Sequence, residues 1–327
     1  MSHFEGIIPA IPTPMNAEGQ IAEEALRVLV EFNIEAGVHG FWVSGGTGES
    51  VLLEDEENRR VAEIVVDQGQ GRVNNIIHVG AATTARAAGL AEHAARVGAE
   101  AICCVPPFFY SRSDEEIVEH YRVVAAAAAL PLFAYNLPSA TRVEIDPPLM
   151  QKIQDVVPQL KGLKHSVANL SNLRAFARMG LDAFTGSCHW LLPAMTLGAA
   201  GVVDGPPSFA PELWVVIWQA YQSGELKKAE AAQDRASETV EALMRCGGGF
   251  HAMIKAALDM RLGIDCGDPR PPALPLTKEQ RQALERIVDE LDLPGQSSYA
   301  PGNVGSPFRL HTRQYRKGLC PFSGGLI

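Results

Sequence analysis

Short apolar runs alternate with longer stretches of helical period over the first two-thirds of the chain. Eight runs read as strands: Gly6–Ala10, Gly40–Val43, Asn75–Val79, Ala101–Val105, Leu132–Tyr135, Leu160–Lys164, Ala183–Thr185 and Gly201–Val203. Helical spacing recurs between them, as in Ala22–Glu35, Asp55–Gln68, Ala85–Val97, Asp114–Ala129 and Asn169–Arg178. Such alternation implies parallel strands joined by right-handed crossovers. Eight units of this kind predict an α/β fold, a closed (β/α)8 TIM barrel rather than an open sheet.

The pattern changes after the eighth strand. Pro211–Ser223, Glu225–Arg245, Phe250–Arg261 and Thr277–Leu291 read as helices with no strand between them. The expected organisation is a barrel over residues 1–223, a C-terminal helical appendage over 224–293 and a mobile tail over 294–327. The tail is rich in Gly, Pro and Ser and carries Arg309, Arg313, Arg316 and Lys317. A solvated end and a contact with an anionic partner both fit it.

Composition narrows the function. A chain of 327 residues with 46% hydrophobic content is long enough for one large barrel plus an appendage. The net charge is −10 and the main body shows no basic stripe, so no nucleic-acid partner is expected. An anionic substrate would need local donors rather than a global field. None of the six cysteines forms a C-x-x-C pair, and Cys103 and Cys104 read as buried free thiols, which suits a reducing compartment. Met1–Ala10 has no basic region followed by an apolar stretch, so no secretory signal is read. The longest apolar run, Val123–Tyr135, is too short to span a bilayer. The nine histidines lack metal-ligand spacing. The expectation is a soluble, cytoplasmic protein with no membrane partner, no metal and no cofactor.

Barrel chemistry sits at the C-terminal ends of the strands. Strand two ends in Ser44-Gly45-Gly46-Thr47-Gly48-Glu49-Ser50, strand five in Tyr135-Asn136 and strand six in Lys164-His165-Ser166. Strand seven leads to Gly186-Ser187-Cys188-His189 and strand eight to Asp204-Gly205. Side chains alternate along a strand, so Leu160, Gly162 and Lys164 share one face while Lys161 and Leu163 share the other. An inward Lys164 would be disfavoured as an ammonium and able to attack a ketone as an amine. A lysine paired with a carboxylate at the barrel rim fits the same pattern, and the residues alone leave both readings open. Tyr135, on the face of Phe133, reads either as a proton donor at the mouth or as a packed tyrosine. In Gly45-Gly46-Thr47-Gly48 the backbone N–H groups can approach an anion closely, and a plain strand–helix turn has the same composition. It is neither a Walker loop nor a dinucleotide fingerprint. Glu49 reads as structural or as a charge at a helix start, and His165 as facing away from the pocket. Cys188 and His189 are adjacent, so substrate contact or packing is expected of them rather than a nucleophilic pair.

Taken in order on the strand ends, these motifs resemble the dihydrodipicolinate synthase / N-acetylneuraminate lyase family. The resemblance rests on Gly45-Gly46-Thr47-Gly48-Glu49, Tyr135-Asn136-Leu137-Pro138-Ser139 and Gly162-Leu163-Lys164. Pro106-Pro107-Phe108-Phe109-Tyr110 and Gly198-Ala199-Ala200-Gly201-Val202 add to it. It covers roughly Phe4 to Pro294. It implies a Schiff base on Lys164, a 2-oxo acid carboxylate held around Gly46 and Thr47, and a proton shuttle at Tyr135. It implies no metal or organic cofactor, a small-molecule 2-oxo acid substrate, and a homo-oligomer, dimer or tetramer. The substrate's second half would meet Ser166, Gly186, Cys188, His189 and Gly205.

The departures are at selecting positions. Gly46 stands where many members carry a hydroxyl, and Phe109 aligns with the relay tyrosine of the synthases. Ala140 replaces the synthase arginine after the tyrosine motif. Cys188-His189 replaces the Asp-Glu pair of sialic-acid lyases, and Gly205 their serine. A Gly-Gly-Thr-Gly-Glu turn also resembles that of deoxy-oxo-glucarate dehydratases. Three readings follow: a lyase or aldolase of a pyruvate-derived 2-oxo acid, a dehydratase using the same imine, and a low-activity 2-oxo-acid-binding barrel.

Overall fold

The computed structural model describes residues 4–293. The expected mobile tail, with its basic residues, lies outside the described residues. Eight parallel strands run in the order β1-β8-β7-β6-β5-β4-β3-β2. They are β1 (Gly6–Pro9), β2 (Gly40–Val43), β3 (Asn74–His78), β4 (Ala101–Cys104), β5 (Leu132–Asn136), β6 (Leu160–His165), β7 (Asp182–Thr185) and β8 (Gly201–Asp204). The ring closes through an Ala10–Trp42 bridge and the His39 N–H, which donates to the Ile7 carbonyl at 2.9 Å. This is the expected (β/α)8 barrel, and every predicted strand is present with ends shifted by at most one residue.

The strands form because both of their faces are apolar. Ile8, Trp42, Ile76, Cys103, Phe133, Tyr135, Phe184 and Val203 fill the barrel. Their neighbours Ile7, Phe41, Ile77, Cys104, Ala134, Leu163, Ala183 and Val202 belong to the outer core. A parallel sheet covered on both sides requires such a pattern. At the seam an ideal Cβ on Gly201 would lie 1.9 Å from the Gly6 carbonyl oxygen, so only glycine lets β1 and β8 meet there.

Helices α1 (Glu23–Glu35), α2 (Asp55–Gly69), α3 (Thr84–Arg96) and α4 (Asp114–Ala128) follow the first four strands. Then come α5 (Pro138–Thr141), α6 (Pro147–Val156), α7 (Leu170–Arg178), α8 (Leu191–Thr196) and α9 (Pro211–Gln222). Helix α6 starts on two prolines. Proline suits a first turn, and Asp146 caps it by accepting from the Leu149 N–H at 2.9 Å. The remaining helices are α10 (Leu226–Met244), α11 (Phe250–Leu262) and α12 (Lys278–Glu290). The first turn of α11 reaches the barrel mouth, where His251 meets the Gly46 carbonyl. No helix among the described residues is long and apolar enough to cross a membrane.

Candidate active site

Lys164 enters the barrel. In the β5–β6 ladder Tyr135 and Lys164 are register partners, so their side chains emerge side by side on the inner face. Lys164 Nζ donates to the Tyr135 hydroxyl at 3.2 Å and lies 4.5 Å from that ring's centroid and 5.7 Å from the Trp42 ring. Both residues are 4% exposed. No carboxylate among the described residues lies within ion-pair distance of Lys164. The alternative of a carboxylate-paired lysine is realised by Lys161, on the other strand face, 3.1 Å from Asp182. The space beside Gly162 is taken by Phe133: an ideal Cβ there would sit 2.7 Å from the Phe133 ring and 2.1 Å from the Asp182 carbonyl oxygen.

The glycine-rich turn faces this pair. An ideal Cβ on Gly46 would lie 3.6 Å from the Tyr135 hydroxyl. The Glu49 N–H donates to Gly46 and the Ser50 N–H to Gly45, at 3.1 and 3.3 Å. The N–H groups of Gly46, Thr47 and Gly48 donate to no acceptor among the described residues, which leaves three neighbouring donors for an anion. Thr47 is buried, and an ideal Cβ on Gly205 would lie 3.0 Å from its hydroxyl and 2.5 Å from the Phe250 ring. Gly205 thus lies beside Thr47 at the same mouth. Ser166 and Gly186 also meet, since a Cβ on Gly186 would collide with the Ser166 hydroxyl at 2.1 Å.

Cys188 is placed elsewhere. Its side chain is buried in the outer core, and its carbonyl accepts from Trp214 Nε1 and Gln233 Nε2 at 3.2 and 3.1 Å. Its N–H donates to Asp204 at 2.8 Å, and burial with the Asp204 charge pushes its thiol up. The expectation of substrate contact therefore gives way to packing at Cys188, while His189 stays half-buried in a short 3-10 turn, Cys188–Trp190. Glu49 is structural as read, paired with Lys255 at 2.7 Å. His165 faces outward against Phe176, with Nδ1 3.1 Å from Asn136 Nδ2.

Three residues escaped the sequence reading. His78 projects inward beside Ile76, edge-on to Tyr135 with ring centroids 6.0 Å apart. Its Nδ1 lies 3.3 Å from the Ser50 hydroxyl. Burial, with the Lys164 charge nearby, pushes its imidazole down to about 4, so it is neutral near pH 7. Strand alternation could have placed it on the inner face. Phe250 and His251, at the start of α11, close over the turn, and His251 Nε2 donates to the Gly46 carbonyl at 2.9 Å. No local pattern signals that contact. A cleft of about 720 Å³ between Met15–Gly19 and the segment around Arg270 contains none of these groups. Among the described residues no cluster of three His, Cys, Asp or Glu could hold a metal ion.

The model of the dihydrodipicolinate synthetase family matches residues 3–291. The chain belongs to that family. It is 33% identical over 295 residues to the 4-hydroxy-tetrahydrodipicolinate synthase of Syntrophus aciditrophicus, covering 89% of this chain and 100% of that one. It is 30% identical over 287 residues to the N-acetylneuraminate lyase of Rhizobium meliloti, covering 87% and 94%. A solved structure of a catalytic lysine mutant of Ruminococcus gnavus sialic acid aldolase superposes with a TM-score of 0.83 at 25% identity, covering 88% and 95%. Membership makes the protein an enzyme, a Schiff-base-forming lyase of the class I aldolase type.

Proposed function

We propose that Lys164 forms the imine with the 2-oxo carbon of a pyruvate-derived 2-oxo acid and that the enzyme cleaves or forms the adjacent C–C bond. The observation that carries this reading is a buried amine, 3.2 Å from a phenol and lacking a carboxylate partner among the described residues. The amine attacks the ketone, and the carbinolamine oxygen leaves as water with a proton from the Tyr135 hydroxyl. The Tyr135 phenolate then takes the C4 hydroxyl proton while the iminium accepts the electron pair of the breaking C3–C4 bond, giving an enamine and an aldehyde. Protonation at C3 and hydrolysis return the amine. The free N–H groups of Gly46, Thr47 and Gly48 hold the carboxylate, and Ser166, Gly186, His189 and Gly205 border the rest of the substrate. Borohydride reduction with pyruvate should add the reduced adduct to Lys164 by peptide mass analysis. An unmodified Lys164 would sink the reading.

Dehydration of a hydroxylated 2-oxo sugar acid through the same imine is the second reading. It is favoured by Gly46, which offers Tyr135 no hydroxyl on the facing wall. Incubation with 2-oxo-3-deoxy sugar acids separates the two: pyruvate release marks the lyase, and water loss with the carbon chain intact marks the dehydratase. Self-association belongs to this proposal as well. Phe109 and Tyr110, in the loop after β4, are 86% and 66% exposed and offer apolar surface that a second copy would cover. A monomer in sedimentation velocity would remove this element.

A further inference from the structure

The C-terminal helices grip the glycine-rich turn at two points. His251 and Lys255 are four residues apart on α11 and so share one face. His251 Nε2 donates to the Gly46 carbonyl at 2.9 Å. Lys255 Nζ lies 2.7 Å from a Glu49 carboxylate oxygen, with both side chains fully buried, and also donates to the Asp268 carbonyl at 3.1 Å. The second Glu49 oxygen accepts from the Arg270 N–H at 2.6 Å.

These contacts add anchors from α11 to a turn that otherwise rests on the Glu49 and Ser50 N–H groups and on Thr13, which donates to the Gly48 carbonyl at 2.8 Å. Glu49 has φ +61, a left-handed conformation that a non-glycine residue rarely adopts. The Gly46 carbonyl accepts from both His251 and the Glu49 N–H. In a trans peptide the carbonyl and the following N–H point opposite ways. Anchoring the Gly46 carbonyl on α11 therefore turns the Thr47 N–H away from α11, where it meets no acceptor among the described residues. A buried ion pair is seldom the most stable way to fill such a space, since apolar pairs of similar volume often do as well. Its geometry, rather than its stability, is what the turn needs.

We propose that Lys255 is a positioning residue for the substrate carboxylate: through Glu49, and together with His251, it sets the direction of the N–H groups that receive it. The inference rests on the imine reading above and deepens it, because it ties the selectivity of the barrel mouth to the C-terminal helices.

The test is borohydride trapping of the full chain with pyruvate and with methyl pyruvate, its uncharged ester. The variants are Lys255→Met, Glu49→Gln with Lys255→Met, and His251→Ala. The pyruvate concentration for half-maximal trapping should rise about tenfold or more in both Lys255 variants and about threefold in His251→Ala. The maximal rate should stay within about threefold, the signature of lost ground-state binding. Half-saturation by methyl pyruvate should not move. The double variant keeps the test intact if Lys255→Met alone fails to fold, because no lone buried charge remains. Unchanged half-saturation for pyruvate in the folded variants overturns the proposal. An equal rise for both compounds does the same, since it reports general loosening. A wild-type protein that pyruvate does not trap overturns the imine reading itself, an outcome distinct from either.

Discussion

Lys164 and Lys255 are 4% and 0% exposed, yet their surroundings are opposite. Lys255 meets a carboxylate at 2.7 Å and a backbone carbonyl at 3.1 Å. Lys164 meets a phenol and two aromatic faces. Burial alone therefore does not separate a reactive lysine from a structural one. The partner does: a carboxylate holds the Lys255 Nζ in place, whereas an aromatic wall with one hydroxyl leaves the Lys164 Nζ open to a carbonyl carbon.

The largest effect expected from this contrast is on chemistry. Lys164→Met should abolish imine trapping and lower turnover about 10⁴-fold or more, while the melting temperature stays level or rises. A variant that keeps turnover would break the contrast outright. Next comes stability. Lys255→Met should cost about 3–5 kcal/mol, because it strands the Glu49 carboxylate in the interior, and adding Glu49→Gln should recover most of it. Urea unfolding midpoints check this, and equal costs at the two lysines would show that the carboxylate is no guide.

The smallest effect sharpens the contrast through pH. The folded protein holds His78 at about 4 instead of the ordinary 6.5. Between those values the unfolded chain takes up a proton that the folded one refuses. Stability should fall as pH drops through this window, by about 3 kcal/mol from His78, and level off below it. His120, pushed down to about 4 by burial, adds to the loss. Because the Lys164 charge helps depress His78, Lys164→Met should return part of the lost stability at pH 4.5. Identical pH profiles for the two proteins would argue against that electrostatic link.

What the sequence revealed follows its local periods. The period of two assigned Lys164 and Tyr135 to one face of their strands, and the apolar runs marked all eight strands. Strand ends slipped by a residue because pairing, not hydropathy, decides them: Asn136 and His165 are polar but remain in register. His78 occupied an inward position, yet a single histidine in an apolar run carries no signal of what it will touch. Phe250, His251 and Lys255 were legible only as helix. The contacts of His251 with Gly46 and of Lys255 with Glu49 span most of the chain, that of Phe250 with Gly205 joins separate elements, and none leaves a trace in local spacing. Cys188 was misplaced because the turn after β7 carries its side chain back into the outer core.

The Gly6–Gly201 seam has a consequence for synthesis. The strand that covers one edge of β1, at Gly6, is not made until Gly201. At ordinary elongation rates that interval is roughly 10–40 s. Through it, Ile7 and Ile8 sit on an unpaired strand edge, the kind of surface that joins other chains. The finished barrel has almost no edge, whereas its nascent form is an aggregation hazard that lasts until the two glycines meet.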